Sequence, residues 1–214
     1  MTDFFEKLRR LRLLPVVKIE DAAVAVPLAR ALQKGGLHAA EITFRTSAAA
    51  EAIGYITETV PDMCVLAGTV LTVEQARDAV EAGAGGIVSP GTNPDVVAWC
   101  MEQNIPVIPG CATPSEVETC IRMGLDTVKL FPAEVVGGTA MLRALAGPYG
   151  AMRFMPTGGI GMHNIAAYLR EPNVLCCGGS WMVPADALRA GDFDGIRQLT
   201  EQAVNLIKKE SLFI

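Results

Sequence analysis

The chain has 214 residues, half of them apolar and 19% charged, with a formal net charge of −5. That length suits one domain with a sizeable core, and the low charge with a mean hydropathy of +0.33 excludes a disordered chain. The acidic balance argues against a nucleic-acid partner, and no stretch reaches the roughly 18 apolar residues that a membrane span requires.

The segment before Pro15 predicts an amphipathic helix with Phe4, Phe5, Leu8 and Leu11 on one face. Strands are then expected at Pro15–Ile19, Ala39–Phe44, Cys64–Thr69, Gly86–Pro90, Val107–Gly110, Thr127–Phe131, Arg153–Thr157 and Val174–Gly178. Helical patterns separate them, among them Asp21–Gln33, Ser47–Thr59, Thr72–Ala82 and Pro94–Gln103. Start signals stand at Thr72 with Gln75, at Asn93-Pro94 and at Thr113-Pro114, and Gly35, Gly83 and Gly124 are stop signals.

Strand and helix recur about every 23 residues, enough for one strand, one helix and two short loops. Eight such units predict an α/β fold, a single-domain (β/α)8 TIM barrel over residues 1–214, with the extra N-terminal helix closing its bottom. The alternative is a doubly wound open sheet. It would normally carry a glycine-rich turn after the first strand, where this chain has Glu20-Asp21-Ala22.

The six cysteines, Cys64, Cys100, Cys111, Cys120, Cys176 and Cys177, form no CxxC pair. With only His38, expected to start a strand, and His163, expected in a helix's first turn, no metal-ligand spacing arises. No metal or cofactor is expected. Cys176 and Cys177 should point to opposite faces of the eighth strand as inert buried thiols. The cysteine usage and the absence of a signal-peptide pattern point to a reducing cytoplasm.

In such a barrel the chemistry gathers at the C-terminal ends of the strands. Strand alternation sends Glu41, Thr43 and Arg45 inward from the second strand, and Thr127, Lys129 and Phe131 inward from the sixth. Burying a Glu, an Arg and a Lys is costly without a purpose. Of six lysines, only Lys18 and Lys129 are expected inside strands. Nucleophilic use of a lysine needs the neutral amine, which burial away from water favours. Glu41 then reads either as a proton carrier or as the lysine's counter-ion, and Arg45 as a fork for a substrate carboxylate. Lys18 points in or out on a one-residue shift. The glycine pairs Gly158-Gly159 and Gly178-Gly179, after the seventh and eighth strands, suit backbone N–H contact with an anion.

Six motifs follow in order: Glu41-Ile-Thr-Phe-Arg45-Thr46, Ala67-Gly-Thr69-Val-Leu71, Ser89-Pro90-Gly91, Lys129-Leu-Phe131-Pro-Ala-Glu134, Pro156-Thr-Gly-Gly-Ile160 and Gly178-Gly-Ser180-Trp-Met-Val-Pro184. Together they closely resemble the 2-dehydro-3-deoxy-6-phosphogluconate (KDPG) and 4-hydroxy-2-oxoglutarate (KHG) aldolases over essentially the whole chain. The resemblance implies a class I aldolase of the Entner–Doudoroff pathway that releases pyruvate, typically as a cytoplasmic homotrimer. It assigns Lys129 to the Schiff base and Glu41 to proton transfer. It assigns Arg45 and Thr69 to the pyruvate carboxylate, Pro90 and Phe131 to the apolar pocket, and Gly158, Gly159 and Ser180 to phosphate. Phe44, Leu130 and Lys18 depart from the residues common in the family. Two rival readings are a phosphosugar epimerase on the same barrel and a non-catalytic sugar-phosphate binder.

Overall fold

The computed structural model describes residues 2–210. The expected domain of residues 1–214 also takes in Met1 and residues 211–214, which lie outside the described residues. Helix α1 (Thr2–Leu11) leads into β1 (Leu13–Val17), a 3-10 turn at Ala22–Val24 and α2 (Ala25–Lys34). Next come β2 (Ala39–Thr43), α3 (Ala49–Thr59), β3 (Cys64–Gly68), α4 (Val73–Glu81), β4 (Gly86–Val88) and α5 (Pro94–Glu102). The second half runs through β5 (Val107–Ile108), β6 (Gly110–Cys111), α6 (Pro114–Arg122), β7 (Thr127–Leu130) and α7 (Gly138–Ala146). It ends with β8 (Arg153–Phe154), α8 (Ile165–Leu169), β9 (Cys177–Gly179), α9 (Ala185–Ala190) and α10 (Phe193–Lys209).

All strand pairs are parallel. One sheet has six strands in the order β5-β4-β3-β2-β1-β9, and a second has three in the order β6-β7-β8. Isolated bridges join Phe154 to Val174 and Thr157 to Gly178, beside β8 and β9. The result is a curled parallel sheet in an α/β fold.

The strands differ from their expected bounds where the ladder stops. The first ends at Val17, so Lys18 lies beyond it and not inside a strand. The fifth is split at Pro109, which has no N–H to give to a ladder. The seventh and eighth are shorter than expected, and the isolated bridges mark their outer parts. Helix α2 begins at Ala25, after the 3-10 turn capped by Asp21, and α3 begins at Ala49. His38 lies just before β2, and His163 sits in a turn before α8. The expected starts at Thr72, Asn93 and Thr113 are N-caps, and Thr113 with Glu116 forms a full capping box.

Two apolar cores follow from strand alternation. The larger lies between the sheets and the helices and includes Ile42, Val65, Ile87, Val128 and Cys177. The smaller lies on the inward faces and holds Leu14, Ala39, Leu66, Val88, Ile108, Met155 and Cys176. Helix α1 closes it from below: Leu8 is fully buried in it, with Phe4, Phe5 and Leu11 packed against it. Gly86 makes room for this, since a Cβ there would sit 2.5 Å from the Phe4 ring. The bottom is therefore sealed by side chains, and polar chemistry is left to the other end.

Leu8→Ala should open a cavity that this rigid floor cannot close. We expect a loss of about 2–5 kcal/mol in urea unfolding, with the native circular dichroism retained.

Candidate active site

Glu41 is the middle residue of β2, one inward step above Ala39. Its side chain is fully buried, and Oε1 accepts a hydrogen bond of 3.3 Å from Lys129 Nζ. Lys129, 5% exposed, is the inward residue of β7 and comes from the other sheet. The carboxylate's second oxygen, Oε2, is buried and has no partner among the described residues. A buried carboxylate with an unpartnered oxygen beside a buried amine is an arrangement in which a proton could be passed to or from a group held at the amine.

The backbone around this pair is built for close approach. Gly68, at the end of β3 and opposite Thr43 in the ladder, leaves room for the Glu41 side chain: a Cβ there would stand 2.1 Å from Oε1. On the other side, a Cβ at Gly178 would stand 2.3 Å from the Thr157 hydroxyl. That hydroxyl is buried and has no partner among the described residues. Neither Gly68 nor Thr157 was among the site residues expected from sequence. Both stood within the motifs, but a close approach between strands leaves no mark in residue type alone.

The mouth carries the remaining candidates. Thr43 donates to the Val17 carbonyl at 3.0 Å, and its Oγ1 accepts from Arg45 Nε at 3.2 Å. Arg45 was expected to be buried facing inward; β2 ends at Thr43, so Arg45 lies beyond the strand and is exposed, tied to it through Thr43. Thr69, half-buried after β3, has φ +56. That left-handed backbone is uncommon for a β-branched residue and turns the chain sharply at the rim. Pro90 and Phe131 are half-buried, and Lys129 Nζ lies 5.3 Å from the Phe131 ring centroid.

Gly158 and Gly159 both have positive φ, at +102 and +79. Neither N–H donates to another described residue, which leaves two adjacent donors in a turn. Ser180 is exposed just after β9. Lys18 is set apart from the buried pair: its Nζ bonds Glu20 Oε1 at 2.8 Å, and its side chain is 45% exposed.

The thiols are buried as expected. Cys176 faces the inner core and Cys177 the outer one, and burial pushes Cys176 up to about 12 and Cys177 well above its ordinary value. Among the described residues no group of three His, Cys, Asp or Glu side chains is placed to hold a metal ion.

The chain as a whole is similar to known proteins. The family model for KDPG and KHG aldolase matches residues 4–199. The 2-dehydro-3-deoxy-phosphogluconate aldolase of Treponema pallidum is 53% identical over 207 residues, covering 97% of this chain and 99% of that one. The KDPG aldolase of Legionella pneumophila, solved with pyruvate captured at low pH as a covalent carbinolamine intermediate, matches with a TM-score of 0.90. It is 39% identical and covers 93% of this chain and 97% of that one. The 2-keto-3-deoxy-6-phosphogluconate aldolase of Zymomonas mobilis with 3-phosphoglycerate has a TM-score of 0.87 at 41% identity, covering 94% of each chain.

Gly68→Ala tests the close approach directly. The added methyl should displace the Glu41 carboxylate and slow keto-acid cleavage by roughly 10²-fold, with far-UV circular dichroism unchanged. Steady-state rates at saturating substrate measure it.

Proposed function

The chain belongs to the KDPG and KHG aldolase family, and we propose that Lys129 and Glu41 carry its Schiff-base chemistry. The enzyme is a carbon–carbon lyase that cleaves 2-dehydro-3-deoxy-6-phosphogluconate to pyruvate and glyceraldehyde 3-phosphate. Cleavage of 4-hydroxy-2-oxoglutarate to pyruvate and glyoxylate fits the combined family name. The observation that carries the residue assignment is the buried Lys129–Glu41 contact with the vacant Glu41 Oε2.

The Lys129 amine adds to the C2 ketone, a proton passes from nitrogen to the former ketone oxygen, and a carbinolamine forms. Glu41 delivers a proton to the departing hydroxyl, water leaves, and an iminium remains. Glu41 then takes the proton of the C4 hydroxyl as the C3–C4 electron pair moves into the iminium. The aldehyde departs and the enamine stays on Lys129. Protonation at C3 and addition of water release pyruvate and restore the amine. Arg45 and Thr69 hold the carboxylate so that the scissile bond lies across the iminium π system. Pro90 and Phe131 wall the pocket. Gly158, Gly159 and Ser180 receive the phosphate, a reading supported by their unengaged N–H donors and by the phosphorylated acid in the Zymomonas protein.

The two sheets are read here as one closed (β/α)8 barrel. Supporting it are the Lys129 N–H to Pro109 carbonyl bond of 2.8 Å between β7 and the β5–β6 break, and the bridges beside β8 and β9. We take the enzyme to be a cytoplasmic homotrimer. The family resemblance supports the trimer, and six buried cysteines, none of them in a disulfide among the described residues, suit a reducing compartment.

Pyruvate with borohydride should add one three-carbon adduct, mapped by peptide mass spectrometry to Lys129. Lys129→Met should lose both adduct and cleavage, while Lys18→Ala keeps the adduct. An active protein without an adduct would move the assignment to an imine-free reaction.

Glu41→Gln keeps the shape and removes the proton carrier. The expected fall in kcat is roughly 10²–10⁴-fold, with slower imine formation from pyruvate. Turnover within a few-fold of wild type would reduce Glu41 to a counter-ion.

A further inference from the structure

Glu134 lies four residues past the end of the lysine strand and takes no part in the chemistry above. Its backbone N–H donates to the Gly158 carbonyl at 3.1 Å, and Ala133 N–H donates to the Thr157 carbonyl at 2.8 Å. Its side chain lies against Gly159: a Cβ there would stand 2.5 Å from Glu134 Cγ. The carboxylate does not reach into the turn. It is held back by the phenol of Tyr168, a buried residue of α8, which donates to Oε1. A Cβ at Gly138 would lie 3.0 Å from the phenol oxygen and 3.1 Å from Oε1, so both groups fill one tight corner.

The turn is gripped from its other side as well. Asn164 Nδ2 donates to the Gly159 carbonyl at 3.0 Å, and its Oδ1 accepts from Gly161 N–H at 2.9 Å. Both glycine carbonyls are therefore engaged by protein donors. The two N–H groups are left as the turn's unengaged donors.

We propose that Glu134, held by Tyr168, is the positioning residue of the Gly158–Gly159 turn and thereby sets the enzyme's preference for a phosphorylated aldehyde. Resting on the aldolase reading, this adds to it a residue pair that touches neither substrate nor the reacting atoms. Burial, and then the hydrogen bond to Glu134, raise the Tyr168 pKa above the ordinary phenol value. The phenol therefore stays protonated and donating throughout the working pH range. A carboxylate this close to an anion site would oppose the anion if it swung free. Tied back, it contributes its methylenes as a wall and its backbone N–H as a clamp.

Glu134→Ala and Tyr168→Phe separate the parts, with Glu134→Gln as the conservative control that still accepts from Tyr168. Expected are a roughly tenfold rise in KM for KDPG in Glu134→Ala and Tyr168→Phe, and a similar weakening of inorganic phosphate as an inhibitor of 4-hydroxy-2-oxoglutarate cleavage. Glu134→Gln should stay within about threefold of wild type on both measures. For all three variants, kcat/KM on 4-hydroxy-2-oxoglutarate should move less than about threefold. Equal losses on the two substrates, an unchanged KM for KDPG, or a Gln variant as impaired as Ala would each overturn the proposal. The pyruvate–borohydride adduct is read alongside: its absence from wild type would overturn the aldolase assignment of Lys129, whereas its persistence in the variants isolates the result to the turn. If Glu134→Ala does not fold, Tyr168→Phe against Glu134→Gln decides alone.

Discussion

The Glu41–Lys129 contact is the constraint around which the rest of this structure is arranged. Two ionisable groups buried side by side carry a desolvation cost of several kcal/mol each, and their mutual attraction offsets it only when the geometry is held. Here the partners come from β2 in the six-stranded sheet and β7 in the three-stranded sheet, so the contact survives only while the two sheets keep their relation. The sealed inner core beneath supplies that rigidity. Leu66, Met155 and Cys176 belong to it, and α1 packs against it through Leu8, Phe4, Phe5 and Leu11.

Closeness is achieved by removing side chains. The strand ends around the pair carry glycine where an adjacent polar side chain must lie flat, Glu41 over Gly68 and Thr157 over Gly178. A methyl at either place would need that side chain to move. The strand glycines therefore give up local strand stability in exchange for interior space at the chemical end of the fold.

This division explains what was legible in the residues. Period-2 alternation put Glu41, Thr43 and Lys129 inward because an inward charge among outward Ile42, Val128 and Leu130 has one consistent reading. The N-terminal helix was legible for the same reason, its apolar face being needed somewhere. Strand ends were not. Whether Lys18 belongs to β1 depends on whether a neighbouring strand still offers ladder partners at that height, which is a property of distant residues. The break at Pro109 and the short β8 are decided by the same long-range pairing. The partners Thr157, Gly68 and Glu134 were visible only as letters in motifs, since their work is done across strands and loops.

Burial has opposite consequences for the two kinds of nucleophile this interior contains. It favours the neutral form of any titratable group. For a thiol the neutral form is inert: with Cys176 pushed up to about 12, only about one molecule in 10⁵ carries the thiolate at pH 7. Cys100 is likewise raised to about 11 by burial alone. For an amine the neutral form is the nucleophile itself. The thiols of Cys100, Cys176 and Cys177 are thus held inert by burial. At Lys129 the same dry setting is met by a paired carboxylate, Glu41 Oε1 at 3.3 Å, the arrangement on which the proposed Schiff-base role rests.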